Sequence, residues 1–197
     1  QIRQWIDANP PLSDAYFLMG LSYHNEKKYS KAIEWFKKST ECEPVYAPTW
    51  HFWGWADYYL GDTAHSKLAF EQFLILRPDE PDTYFGLGLI SLEEGDFAQA
   101  AHHFKIALDA PETTLPIQAK TNARLADVYV QQGDWQTAYP LYSLAVQQNP
   151  DLYEAWYRLS QTCTRLGLDE EAHEAFRQFE QARNRVRPDL KGTRFPE

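Results

Sequence analysis

The 197-residue sequence predicts an all-α fold of stacked antiparallel helix pairs, and three observations carry that prediction. First, Tyr16 to Gly20, Trp50 to Gly54 and Tyr84 to Gly88 each set an aromatic residue, a large apolar residue three places on and then a glycine, at a spacing of 34 residues. Two further copies, Asn122 to Leu125-Ala126 and Trp156 to Leu159-Ser160, follow after 38 and 34 residues. Second, twelve residues past each small position come Ala32, Ser66, Ala100, Ala138 and Ala172, and four residues later stand Phe36, Phe70, Phe104, Tyr142 and Phe176. That spacing puts the small residue and the ring on one helical face. Third, Gly61, Gly95, Gly133 and Gly167 divide the halves of four units, where a helix would end in a left-handed residue; Lys27 holds that place in the first unit. Self-similarity at a fixed period of this length marks a repeat architecture, in which each unit buries its apolar face against its neighbours.

Each unit therefore reads as a helix, a tight turn and a second helix. The small residues Gly20, Gly54, Gly88, Ala126 and Ser160 stand where the two helices cross closely, and Pro44, Pro78 and Pro150 close their units, with Pro111 one place early. The pattern resembles the tetratricopeptide repeat, a helix–turn–helix unit of the same period. The resemblance covers residues 13 to about 186, as five units at 13–46, 47–80, 81–118, 119–152 and 153–186. It implies a right-handed superhelical solenoid whose first helices line a concave groove. Departures from the pattern are Asp57, Ser91 and Cys163, where Tyr23 and Tyr129 supply the expected ring, and Asn122 in place of an aromatic. Four extra residues around Asp109 to Pro116 are expected to lengthen the connection between the third and fourth units.

Composition narrows the functional classes. The chain is 44% hydrophobic and 15% aromatic, enough for a sizeable core. Its formal charge of −9 and pI of about 5.1 disfavour a duplex nucleic-acid binder, which needs a net basic face. Cys42 and Cys163 are too few for a disulfide framework or a zinc site, and they are expected to stay unlinked. No apolar run approaches the length of a membrane span, so a soluble chain is expected; cytoplasm and periplasm both stay open, because no targeting sequence is visible. The chain opens at Gln1 without Met or a signal-like stretch, and is read as a fragment or processed form.

The two ends differ. Ile2, Trp5 and Ile6 form an apolar stripe followed by Asn9-Pro10-Pro11, so residues 1–12 read as the last helix of a preceding, truncated repeat. Two outcomes stay open for the uncovered part of that stripe: a weak homodimer through Ile2, Trp5 and Ile6, or a monomer in which Trp5 folds inward onto Tyr16 and Met19. At the other end, Glu180 and His173 replace apolar residues of earlier units, which suits a terminal repeat. Beyond it Arg183, Arg185, Arg187, Lys191 and Arg194 outnumber Asp189 and Glu197, and residues 187–197 are expected to form a basic, extended tail.

The resemblance allows the groove to be assigned residue by residue. Phe17, Leu21, His24, His51, Trp55, Tyr58, Tyr59, Phe85 and Leu89 are expected to present an apolar, aromatic wall that anchors partner side chains. Truncating Trp55 and Phe85 together is expected to abolish binding without loss of helicity. Lys120, Arg124, Asp127 and Arg158, with Arg165 nearby, make the later half polar and locally basic. Lys120 and Arg124 match two positions with which some family members clamp terminal carboxylates of chaperone tails. His51, Trp55 and Gly86 stand where the remaining clamp residues would be, so chaperone-tail binding is not predicted.

No catalytic set, cofactor or metal centre is predicted. Gly86-Leu87-Gly88 lacks the third glycine and the preceding strand of a dinucleotide loop. His102 and His103 point about 100° apart on a helix, Asp169-Glu170-Glu171 complement a helix dipole, and His24 and His51 lack a matching carboxylate or cysteine. Asp57, at a position that is normally aromatic and buried, is expected to pair with His65 or Lys67. The reading is a non-catalytic interaction module that captures an extended or helical partner segment. Two alternatives stay open: a structural self-association or spacer module, and an interaction part of a larger enzyme or secretion component.

Overall fold

The computed structural model describes residues 12–190, and among these there are ten α-helices and no strand. The described residues fall into two compact units that divide between Ile90 and Ser91. Unit 1 holds α1 (Ser13–Asn25), α2 (Tyr29–Thr40), α3 (Pro48–Tyr59), α4 (Thr63–Leu76) and most of α5 (Pro81–Glu93). Unit 2 holds α6 (Phe97–Asp109), α7 (Leu115–Gln131), α8 (Trp135–Gln148), α9 (Tyr153–Leu166) and α10 (Asp169–Val186), then a 3₁₀ turn at Pro188–Leu190. The N-terminal stripe of Ile2, Trp5 and Ile6 lies outside the described residues, as do residues 191–197.

The helices form because each turn between them satisfies its own backbone groups. Gly61, Gly95, Gly133 and Gly167 have φ between 73° and 79°, and Lys27, the residue at the same place in the first unit, has φ 57°. In three units the next residue is an aspartate whose Oδ1 accepts the amide three residues on: Asp62 from His65, Asp96 from Gln99 and Asp134 from Thr137. The Gly-Asp pair is thus a combined stop and start signal, a left-handed C-terminal residue followed by an N-cap. The glycine carries the repeat period, and in these three units the aspartate beside it adds the cap that starts the next helix.

In unit 1, α1 packs on α2, α2 on α3, and α3 on α4. Phe36 and Phe70 are wholly buried, and each ring lies against the glycine of its own first helix, Gly20 and Gly54. A hydroxyl chain ties the first three helices together: Ser39 Oγ donates to the Ser13 carbonyl at 2.7 Å and lies 2.8 Å from Thr49 Oγ1. In unit 2, α6 packs on α7, α7 on α8, α8 on α9 and α9 on α10. Its core contains Ala126, Ala138, Tyr142, Val146, Leu159 and Cys163. Cys42 and Cys163 are both free, and burial pushes both thiols up, away from the reactive thiolate form.

Three expectations need correction. The four inserted residues do not lengthen the loop: only 110–114 separate α6 from α7, whereas α7 has 17 residues against 12 to 14 for α1, α3, α5 and α9. Four residues are close to one helical turn, and Pro116 sits in that added first turn, where its missing amide costs nothing. Phe176 is 42% exposed, unlike its counterparts Phe36, Phe70, Phe104 and Tyr142; Phe179 fills the core beneath it, with ring centroids 5.6 Å apart. The tail is neither extended nor freely basic where described. Arg183 is buried within α10, Arg185 pairs with Asp151 at 2.7 Å, and Arg187 pairs with Asp189 at 2.8 Å across the start of the 3₁₀ turn.

Candidate functional site

Unit 1 gathers an unusual density of rings on α1, α3 and α5. Phe17 contacts Phe52, Phe52 contacts both His24 and His51, and His51 contacts Trp55, with centroids 5.2 to 6.4 Å apart. Trp55 in turn touches Tyr58, Tyr59 and Phe85. Tyr59 stacks on Tyr29 at 4.9 Å and meets His24 at 6.1 Å. The expected wall residues are thus largely brought together, but they do not share one kind of exposure. Phe17, Trp55 and Phe85 are buried; Leu21, His24, His51, Tyr58 and Leu89 are partly buried; Tyr59 is exposed. The reason is that large rings at helical spacing satisfy one another before they satisfy a ligand.

Polar groups fix the cluster. The Trp55 indole donates to Asp82 Oδ2 at 2.9 Å, and His51 places Nδ1 2.8 Å from Thr83 Oγ1 and Nε2 3.4 Å from the same Asp82 oxygen. Asp82 and Thr83 were not singled out in the sequence; only their place in the first turn of α5, opposite His51 and Trp55, could have pointed to them. Burial, and then the nearby His51, hold His24 below the usual histidine range, so its ring is neutral at physiological pH. Beside the rings, a cleft of about 600 Å³ opens over the loop before α3, lined by Tyr46, Pro48, His51, Phe52, Phe73 and Arg77 among others.

Unit 2 presents a polar counterpart. Arg124 donates to Asp127 Oδ2 at 2.8 Å, while the buried Tyr142 hydroxyl donates to Asp127 Oδ1 at 2.5 Å. Burial and the Asp127 carboxylate push the Tyr142 phenol up, so it remains a donor. Arg158 reaches only Gln161, at 3.5 Å, and Lys120 is exposed. Arg165 lies over the Trp135 ring at 5.7 Å. Asp127 therefore neutralises Arg124, one of the two residues that suggested a clamp. Tyr142, Arg158, Gln161 and Arg165, with Val130, Trp135 and hydroxyls of α9, line a cleft of about 370 Å³.

The remaining candidates resolve into structure. Asp57 pairs with neither His65 nor Lys67: His65 Nδ1 binds Asp62 at 2.7 Å, and Asp57 accepts a hydrogen bond from the Trp53 indole. Its Oδ2 is buried without a partner, and burial, reinforced by Asp62, raises its pKa to about 6. Gly86 touches the Phe70 ring, so the Gly86-Leu87-Gly88 segment packs helices. Among the described residues no three metal-binding side chains cluster, and no helix is long and apolar enough to cross a membrane.

Paired helices closed by left-handed turns and stacked along the chain define a helical repeat protein. The chain belongs to the tetratricopeptide repeat family, which matches residues 13–46, 53–113 and 129–187. It is 27% identical over 95 residues to the photosystem I assembly protein Ycf3 of Synechococcus sp. (strain CC9605); the match takes in 43% of the chain and 54% of that relative, so the chain spans about half of the relative's length. Its fold is similar to that of MamA (TM-score 0.72, 18% identity, 85% of this chain and 96% of the other). It is also similar to that of YrrB, described as a repeat protein with an unusual peptide-binding site (TM-score 0.68, 16% identity, 95% and 93%).

Proposed function

We propose that the chain is a non-catalytic scaffold, divided into the five repeats given above, that holds a partner segment on the face of unit 1 formed by α1, α3 and α5. The observation that carries this reading is the exposed Tyr59 ring, bordered by the partly buried Tyr58 and His24 and backed by Trp55, which Asp82 holds in one orientation. A rigid aromatic with an accessible edge loses little conformational entropy on binding and offers both apolar area and a hydroxyl. The role of the buried rings is to set the position of that edge rather than to touch the partner. The peptide-binding site named for YrrB and the assembly role named for Ycf3 support the same reading by likeness.

Selection of a linear peptide library on the immobilised chain, followed by affinity measurement with Tyr59→Ser, tests it. Selected peptides lose about tenfold or more in affinity for Tyr59→Ser, a change of about 1.4 kcal/mol, while helicity is retained. Peptides that bind Tyr59→Ser as tightly as the unaltered chain overturn the assignment of this face.

A further inference from the structure

The cleft of unit 2 holds two arginines that make no ion pair with the described residues. Each Asp127 oxygen already accepts a hydrogen bond, one from Arg124 and one from the Tyr142 hydroxyl. Among the described residues Arg158 meets the Gln161 amide oxygen, at the limit of hydrogen-bond distance, and Arg165 meets the Trp135 ring, with no ion pair to either. Both guanidinium groups border the same cleft of about 370 Å³, lined further by Val130, Gln161 and Thr164. Seven residues separate them on α9, two helical turns or about 10.5 Å of rise, so both project from one helix face.

We propose that this cleft takes the carboxylates of an acidic polypeptide segment, with Arg158 and Arg165 as the groups that grip them. The proposal rests on the reading of the chain as a peptide-holding scaffold and supplies the chemistry of one partner segment. A guanidinium presents its donors as a planar fork that matches a carboxylate in two parallel hydrogen bonds. The Arg165 guanidinium lies over the Trp135 ring at 5.7 Å, a cation–π contact that uses none of its N–H donors. In an extended acidic run, carboxylates on one side recur about every 6.6 Å, within reach of two long side chains rooted about 10.5 Å apart. The chain as a whole carries a charge of −9, so an acidic partner is attracted here and repelled over most of the remaining surface. That contrast makes the position of binding specific. The anchoring pair also differs from the one that sequence spacing suggested: Lys120 does not line the cleft, and Arg124 is already neutralised.

Fluorescence anisotropy with a labelled hexaglutamate peptide, and with hexaglutamine as its neutral match, tests the proposal. The unaltered chain binds hexaglutamate and not hexaglutamine, the double variant Arg158→Gln/Arg165→Gln binds at least about tenfold more weakly, and Lys120→Gln binds like the unaltered chain. The Arg158 and Arg165 Nε–H resonances shift on titration. Both arginines are exposed, so the variants fold, as circular dichroism would verify. Failure of hexaglutamate to bind, equal binding by the double variant, or full displacement of the peptide by an equal concentration of inorganic phosphate overturns it. Library peptides that depend on Tyr59 while hexaglutamate fails would overturn this assignment and leave the unit 1 reading standing.

Discussion

Phe70 is gripped between two glycines on different helices. A Cβ built on Gly54 of α3 would lie 2.5 Å from one edge of its ring, and a Cβ on Gly86 of α5 would lie 2.6 Å from the other. Neither distance is available to a real methyl group, so alanine at either site must push the ring or the helix. Overpacking of this kind costs about 1 to 3 kcal/mol, partly offset by the better helix propensity of alanine. Gly86→Ala is expected to lower the melting temperature, and Phe70→Leu in the same chain to recover part of the loss, as thermal unfolding of the two single variants and the double variant would show.

The burial of Trp55 changes what its truncation does. At 8% exposure, with its indole N–H bonded to Asp82, Trp55 is a core residue whose removal costs about 3 to 5 kcal/mol. Trp55→Ala with Phe85→Ala is therefore expected to lose helicity or melt early, contrary to what its place in the groove pattern suggests. Tyr59→Ser should melt close to the unaltered chain, and denaturant unfolding of both separates the roles.

Lys27 sits at φ 57° in a turn where four other units use glycine. A left-handed conformation costs a residue with a Cβ about 1 kcal/mol. Lys27→Gly relieves that strain but widens the unfolded ensemble, so a net gain of about 0.5 kcal/mol is expected. Gly61→Ala runs in the opposite direction, and an increase in its melting temperature would contradict the argument.

The repeat pattern was legible because it rests on few residues: a glycine or alanine at a crossing, a ring sixteen places on, and a left-handed turn. The position of the groove helices follows from the same period. Exposure along them does not, because whether Phe17 or Tyr59 is covered depends on rings brought in from elsewhere in the fold: Tyr46 of the loop before α3 and Phe52 of α3 lie on the first, while Tyr29 of α2 and Trp55 of the same helix border the second. Pairing of charges was equally hidden. Arg124 and Asp127 lie three apart on one helix, but the Tyr142 hydroxyl that completes the carboxylate comes from the next helix.

Asp57 gives the fold a pH dependence of identifiable sign. Its side chain is buried at 6% exposure, one oxygen has no partner, and its pKa stands at about 6, against about 3.9 for an unfolded aspartate. The charged groups around it oppose one another: Asp62 raises the value, while His65 on α4 and Lys37 on α2 lower it. The folded state therefore binds this proton more tightly than the unfolded state. Above pH 6 the ionised carboxylate is destabilising; the penalty fades as pH falls through 6 and is gone below about 4. Asp57→Asn mimics the neutral form and keeps an acceptor for the Trp53 indole. It is expected to be more stable than the unaltered chain by about 1 to 2 kcal/mol at pH 7.5, a figure reduced from the full shift for screening by nearby water. That gap should close as pH is lowered toward 4.5. Chemical unfolding of the two chains across this range measures the difference directly, cancelling the titration of the other carboxylates. A gap that stays constant with pH, or that favours aspartate at pH 7.5, would mean that Asp57 is stabilised as its anion.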